Sequence, residues 1–415
     1  MKRLSLACLA ALWIIPAATA AEKTFEITIA AGKVDRSNAP VCALLPLPFD
    51  QAKTVVLKNA EGKEIPAQIT ALSLLAEKEH DPNKVCELHF ILPKLKAGDS
   101  LTLTAKITGN KPTESKGFSW KDTPGDHFDL SLDDRPVLSY QYKALDETSK
   151  ESRDSTFKVF HHLYDPEGKR LVTNGPAGLY PHHRGLFFGF NKITYADGKK
   201  ADTWHCTQGA FQGHEKMLAS EAGPVLARHR VRIGWHGEKS DRFAEEDREL
   251  TVYNVPGGCL VEFASIVRTV DGPIKLDGDP QHAGFHFRAD HEVAEKSQKE
   301  TIFIRPDGAG KPGETRNWDP KTKEGPVNLP WNAMSFVLGG KRYTAAYLDS
   351  PDNPKEARGS EREYGRIGSY FEFEVTEKKP LRVHYRIWLQ DGQMKPEEVA
   401  ALDDDFAAPV IVRVK

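Results

Sequence analysis

Short runs in which apolar and polar residues alternate, each bounded by Gly, Pro, Asn or Asp, recur along most of the chain. They fall at residues 24–30, 54–58, 101–107, 128–132, 231–235, 260–270, 301–305, 371–375 and 381–389. A period of two places successive side chains on opposite faces of a strand, so each run predicts a half-buried strand. Helical patterning is confined to the end, where Pro396 suits a first helical turn and residues 397–402 continue it. The pattern predicts an antiparallel all-β protein, a sandwich or a pair of sandwiches.

The stretch TGNKPTESKG (108–117) is polar and rich in breakers, which places a boundary there. A small β-sandwich is expected at 21–110 and a larger unit at 117–415. The first twenty residues read as a secretory signal peptide. Lys2 and Arg3 precede an apolar stretch at 4–15, and Ala18-Thr19-Ala20 provides a small-x-small cleavage site. The protein is therefore expected to be exported, to the periplasm or beyond the cell, with no integral membrane association. Cleavage would leave 55 basic and 59 acidic residues, a net charge of −4, which gives no reason to expect nucleic acid as a partner. It would also leave four cysteines. Cys42–Cys86 and Cys206–Cys259 would each pair within one unit, and four buried thiols are the alternative.

Chemistry-bearing residues concentrate in the larger unit. In YPHHRGLFFGF (180–190), a strand after Pro181 would put His183, Gly185, Phe187 and Gly189 on one face, where the glycines leave room for a ligand or mark a bulge. DTWHC (202–206) sets a carboxylate, an indole and an imidazole side by side, a grouping that suits a sugar ring as well as a buried Trp with a satisfied neighbour. HAGFHFRAD (282–290) alternates Ala283, Phe285, Phe287 and Ala289 with His282, Gly284, His286, Arg288 and Asp290, so its polar face reads as a pocket floor. The last predicted strand repeats the theme with Arg382, His384, Arg386 and Trp388. Side by side in one sheet, these faces would line a concave basic and aromatic surface. The turn-rich segment at 349–366 is either a surface loop or a rim that brings Glu361, Arg362 and Tyr364 to the pocket.

His282 and His286 would stand about 13 Å apart along a strand, too far to share one ion. A divalent metal is left open only through histidines of different segments, such as His183, His205 and His286. No cofactor is predicted, because HExxH and CxxC spacings, a phosphate loop and a G-x-S-x-G elbow are all missing from the sequence.

The stretches FHHLYDPEGKRLVTNGPAGLYPHHRGLFFGF (160–190), ADTWHC (201–206), GDPQHAGFHFRA (278–289) and SEREYGRIGSYF (360–371) resemble a bacterial family catalogued as methane oxygenase PmoA. The resemblance implies a galactose mutarotase-like antiparallel β-supersandwich whose concave face handles carbohydrates, with a histidine as acid and a glutamate as base. By position the acid would be His183, His205, His282 or His286, and the base Glu361. Arg184, Arg288 and Arg362 would bind hydroxyls or a carboxylate, Trp204 would stack on the ring, and Asp202, Tyr364 and Arg386 would complete the substrate contacts. The expectation is an exported carbohydrate-active protein working by acid and base chemistry on a sugar or oligosaccharide, of epimerase, lyase or hydrolase type. The alternatives are a non-catalytic carbohydrate-binding protein and the metal-dependent oxidoreductase that the family name suggests.

Overall fold

The structure, a computed structural model, describes residues 22–109 and 116–415. The expected signal peptide and the centre of the expected linker lie outside the described residues. The fold is all-β and sandwich-like, and the strand-to-strand ladders are antiparallel. Each predicted strand is present, within a few residues of its expected ends: Leu381–Asp391 runs two residues further, Cys259–Thr269 is shifted by one, and Phe373–Val375 is two residues shorter. The terminal helix runs over Pro396–Ala407, with Pro396 in its first turn and Glu398 accepting the Lys395 backbone N–H at 2.7 Å. A short helix, Lys150–Thr156, starts from a Ser149 cap that sequence patterning did not reveal.

The N-terminal strands form a five-stranded and a three-stranded sheet around Ile27, Val41, Leu57, Leu88, Phe90 and Leu103. The final strand, Ile411–Val414, returns to pair with Lys23–Ala30, so both ends of the described chain share one sheet. The main body pairs an eight-stranded with a nine-stranded sheet. Their apolar faces meet in one core, where Phe285 of the first stacks on Phe263 of the second at 4.2 Å.

The two sheets divide the polar strand faces that sequence reading placed together. Leu186–Phe190 and Ala283–Arg288 are neighbours in the eight-stranded sheet, whereas Leu381–Asp391 lies in the nine-stranded one. The polar face of that last strand turns toward the N-terminal sheets. Arg386 bonds Glu262 at 2.5 Å there, in a cleft shared with Cys42, Glu87, His89 and Arg228. A single concave surface carrying all of these residues is therefore not formed, because side-chain alternation fixes the face of a strand and not the sheet it joins.

Candidate active site

Three loops meet at one end of the eight-stranded sheet. They precede Leu186–Phe190, follow Lys199–Ala201 and precede Ala283–Arg288, and together with the turn at 362–364 they surround an open cavity of about 650 Å³. The first loop carries Tyr180, His182 and His183. The expected strand after Pro181 begins only at Leu186, because the backbone turns through positive φ at Tyr180 (58°) and Gly185 (45°). A Cβ on Gly185 would stand 2.0 Å from the His161 carbonyl oxygen, so that glycine admits neighbouring backbone instead of ligand.

The second and third loops carry two matched pairs. Asp202 accepts the backbone N–H groups of Trp204 and His205 at 2.9 and 2.7 Å through Oδ1, and its Oδ2 meets His205 Nδ1 at 2.8 Å. Asp279 accepts the Gln281 N–H at 2.9 Å, meets His282 Nδ1 at 3.0 Å and is braced by Asn191 at 3.1 Å. Burial alone would raise the Asp279 carboxyl, but the His282 bond, its charge and the N–H donors hold it well below the usual carboxylate range. With Nδ1 engaged, each ring presents Nε2 to the cavity. The two side chains are 29% and 31% exposed and their rings stand 4.9 Å apart. His182 packs 4.7 Å from His205, and its pKa is lowered by burial and then by Lys158, His205 and His282.

Beneath this floor lie residues that sequence reading placed in contact with substrate. Trp204 is fully buried, edge-on to His286 at 4.8 Å, and has no open ring face for a sugar; its N–H donates to His183 Nε2 at 3.2 Å. His183 and His286 are buried, and desolvation together with Arg366 keeps both neutral. His286 donates from Nε2 to the Ala283 carbonyl at 2.9 Å and packs against Gly368, so it is a buried support and not part of a pocket floor. Arg184 lies over the Phe157 ring at 4.1 Å and donates to the carbonyls of Asp154, Ser155 and Pro181. Arg288 brackets the carbonyls of Tyr364 and Leu179 from below. Both faces of Ala283–Arg288 are buried because the loops fold over the one that alternation would expose.

Glu361 is also displaced from its expected role. Its strand, Arg358–Arg362, is the edge of the eight-stranded sheet, and its carboxylate is fully buried against Arg305 at 2.8 and 2.6 Å. Asn332 and the Arg316 N–H take its remaining lone pairs. Arg362 and Tyr364, one and three residues on, do reach the cavity, and Tyr180 lies 5.0 Å from Tyr364. The residues missed from sequence are His182, Asp279, Arg366 and Tyr180. The PHH and GDPQH strings contained the first two, but only the loop geometry joins them.

Metal ligation finds a different focus. Among the described residues, Cys42, Glu87 and His89 place one donor atom each within 4.8 Å of the others. Glu87 is already occupied by Ser73, His89 and Arg228, which makes this an ion-pair network more than a cation cradle. His183 and His286 each turn Nε2 to a neighbour, so the trio with His205 does not converge on an ion. All four described cysteines are free thiols, which removes the two disulfides; three of them are buried as the alternative expects, and Cys42 departs from it by being exposed.

The family of unknown function DUF6807 matches the chain over residues 127–403. This overturns the resemblance to the family catalogued as methane oxygenase PmoA, and with it the ground for suggesting an oxidoreductase. No curated protein matches the chain. Among solved structures, the chain is similar to an alpha-mannosidase from Enterococcus faecalis V583, at 9% identity and a TM-score of 0.46, covering 94% of this chain and 46% of that one. It is likewise similar to a protein in the glycosyl hydrolase family 38 from Enterococcus faecalis, at 9% identity and a TM-score of 0.44, covering 94% and 47%. The chain thus spans about half the length of either structure, and likeness at this level carries nothing about function.

Proposed function

The chain belongs to DUF6807, a family whose function is unknown, and from the cavity itself we propose that it binds a carbohydrate and moves protons on it by acid and base chemistry. The observation that carries this reading is the pair of aspartate-held imidazoles, His205 and His282, packed side by side at 4.9 Å in the lining of one open cavity. An imidazole whose Nδ1–H is held by a carboxylate offers Nε2 as a base, and the same carboxylate stabilises the imidazolium once the proton is taken. Two such rings can serve one sugar carbon or hydroxyl, one accepting while the other donates. Tyr180, 41% exposed, offers aromatic surface to the apolar face of a sugar, and Arg362 and Gln281 offer donors to its edge.

The geometry favours proton transfer of isomerase or lyase type over hydrolysis by paired carboxylates. Asp202 and Asp279 are both committed to their histidines, so neither is free to act as a nucleophile on an anomeric carbon. Cys206 is buried and burial raises its thiol pKa, which removes it as a nucleophile.

The test is exchange of sugar C–H for deuterium in D₂O, followed by NMR over a panel of monosaccharides and oligosaccharides. His205→Gln and His282→Gln should each slow exchange by about 10²- to 10⁴-fold while binding changes by only a few fold. A sugar that binds the wild-type protein yet shows neither exchange nor product would leave binding without catalysis. Export belongs to the same proposal, and N-terminal sequencing of the processed protein checks it: an intact Met1 would remove it.

A further inference from the structure

Buried guanidinium groups elsewhere in this protein are paired. Arg228 meets Glu87 at 3.0 Å, Arg248 meets Glu246 at 2.7 Å, and Arg305 meets Glu361 at 2.6 Å. Around the His205–His282 cavity the rule is broken. Lys158, Arg184, Arg288 and Arg366 are all at least 97% buried, and among the described residues none has a carboxylate within ion-pair distance. They are held instead by carbonyl oxygens: Thr203 and Trp204 for Lys158, Asp154 and Pro181 for Arg184, Tyr364 and Leu179 for Arg288, and Gln281 for Arg366.

Carbonyl brackets do not use up these groups. Arg288 Nε and Arg366 Nε and Nη2 are buried without a hydrogen-bond acceptor. An unpaired charge taken out of water is costly, and the usual remedy, a carboxylate of the same chain, is withheld at this one place. The neighbouring acids are engaged elsewhere. Asp202 and Asp279 hold the two histidines, Asp154, which acts on Arg184, meets Lys150 at 3.2 Å, Asp290, which acts on Arg288, lies 3.6 Å from His291, and Glu363 sits at the rim. A fifth cation, Arg362, lines the cavity with one hydrogen bond, from Nη1 to the Glu361 carbonyl, and its other N–H groups are available to a ligand. The field of these cations reaches the lining: Arg366 and Arg288 both act on His183, and Lys158 and Arg366 on His182.

We infer that the ligand of this cavity is an anion, a sugar acid whose carboxylate docks on Arg362 above the Arg366 guanidinium. The sugar part rests on the reading in the preceding subsection, and the charge rests on the cations alone. Arg362 can grip a carboxylate through two parallel N–H donors, as its planar fork allows. The buried cations behind it supply attraction that salt screens little.

The experiment is calorimetric titration of the protein with D-galacturonate, D-glucuronate, D-galactose, the neutral methyl ester of galacturonate, and sodium sulfate. A uronate should bind at least about tenfold tighter than its neutral ester, and Arg362→Gln should remove about 10- to 100-fold of the uronate affinity, a larger loss than it causes for galactose. Neutral sugars binding as well as uronates would overturn the inference and leave the carbohydrate reading standing. Sulfate binding as tightly as the uronates would support an anion site and sink the sugar instead. Silence toward every anion in the panel would overturn the inference outright.

Discussion

Glu361 separates a structural carboxylate from a catalytic one. It is fully buried, it accepts two bonds from Arg305 at 2.8 and 2.6 Å, and it accepts one each from Asn332 and the Arg316 N–H at 2.8 and 2.7 Å. Glu361→Ala would leave a guanidinium that is 2% exposed without its partner, together with two orphaned donors. Breaking a buried pair from one side costs about 3–5 kcal/mol. Glu314, 3.9 Å from Arg305 Nη1, compensates in part and places the loss in the lower half of that range. With an unfolding entropy of about 2.1 cal/mol/K per residue over roughly 290 residues, about 0.6 kcal/mol per kelvin, the melting temperature should fall by ~5–7 °C. Differential scanning calorimetry reads this directly. Changing both partners, Arg305→Met with Glu361→Leu, should recover more than half of the loss, because no charge is then stranded. Below its melting temperature the Glu361→Ala protein should keep its turnover within a few fold. A fall of less than about 2 °C accompanied by a hundredfold loss of activity would refute this account and restore Glu361 as the base.

Three further outcomes follow from the same geometry. Burial keeps His161, His183, His229 and His286 neutral, with pKa values below that of an unfolded imidazole; the unfolded chain therefore takes up protons below about pH 6.5 that the fold refuses, and each residue removes up to about 1.4 kcal/mol per pH unit. Stability is thus full above pH 6.5 and lost on acidification, and a melting temperature that holds constant or rises from pH 7 to pH 5 would contradict it. Gly284 has φ near +90° and a Cβ there would stand 1.9 Å from the Ser369 carbonyl oxygen, so Gly284→Ala should cost about 2–5 kcal/mol from strain and overpacking. Gly62→Ala, with a similar φ but nothing within 4 Å, should cost no more than about 1–2 kcal/mol. Among the described cysteines, native labelling with N-ethylmaleimide should modify exposed Cys42 alone, since Cys86, Cys206 and Cys259 are buried; an adduct at any of those three on the intact fold would be inconsistent with it.

Strand content and the terminal helix were legible because they are local. Alternation at period two marks a strand wherever it lies, and Pro396 with the acidic residues after it marks a helix start. The site was legible only as vocabulary. His205, His282, Asp202, Arg362 and Tyr364 do meet at the cavity, and the strings that contain them drew notice because histidine, tryptophan and arginine are uncommon on solvated strand faces. Alternation could not say that the opposite face of Ala283–Arg288 would be roofed by loops. That is why His286, Arg288 and Trp204 proved to be supports. Nor could it say that Leu381–Asp391 would join the other sheet and take Arg386 to a separate cleft.

The sequence by itself determined the all-β character, the positions of the strongly alternating strands and the stock of chemical groups, since each depends on residues within one or two turns of chain. Tertiary structure alone decided which groups meet water and which lose it. Asp202 and Asp279 each orient a histidine three residues along their own chain, so either pair was within reach of sequence, but the 4.9 Å approach of the two rings depends on loops 77 residues apart. The same holds for charge. A count of 57 basic against 59 acidic residues gives a nearly neutral protein, and only the folding of the chain leaves a cluster of cations beneath one cavity without carboxylate partners, because pairing is settled by distance in space and not by composition.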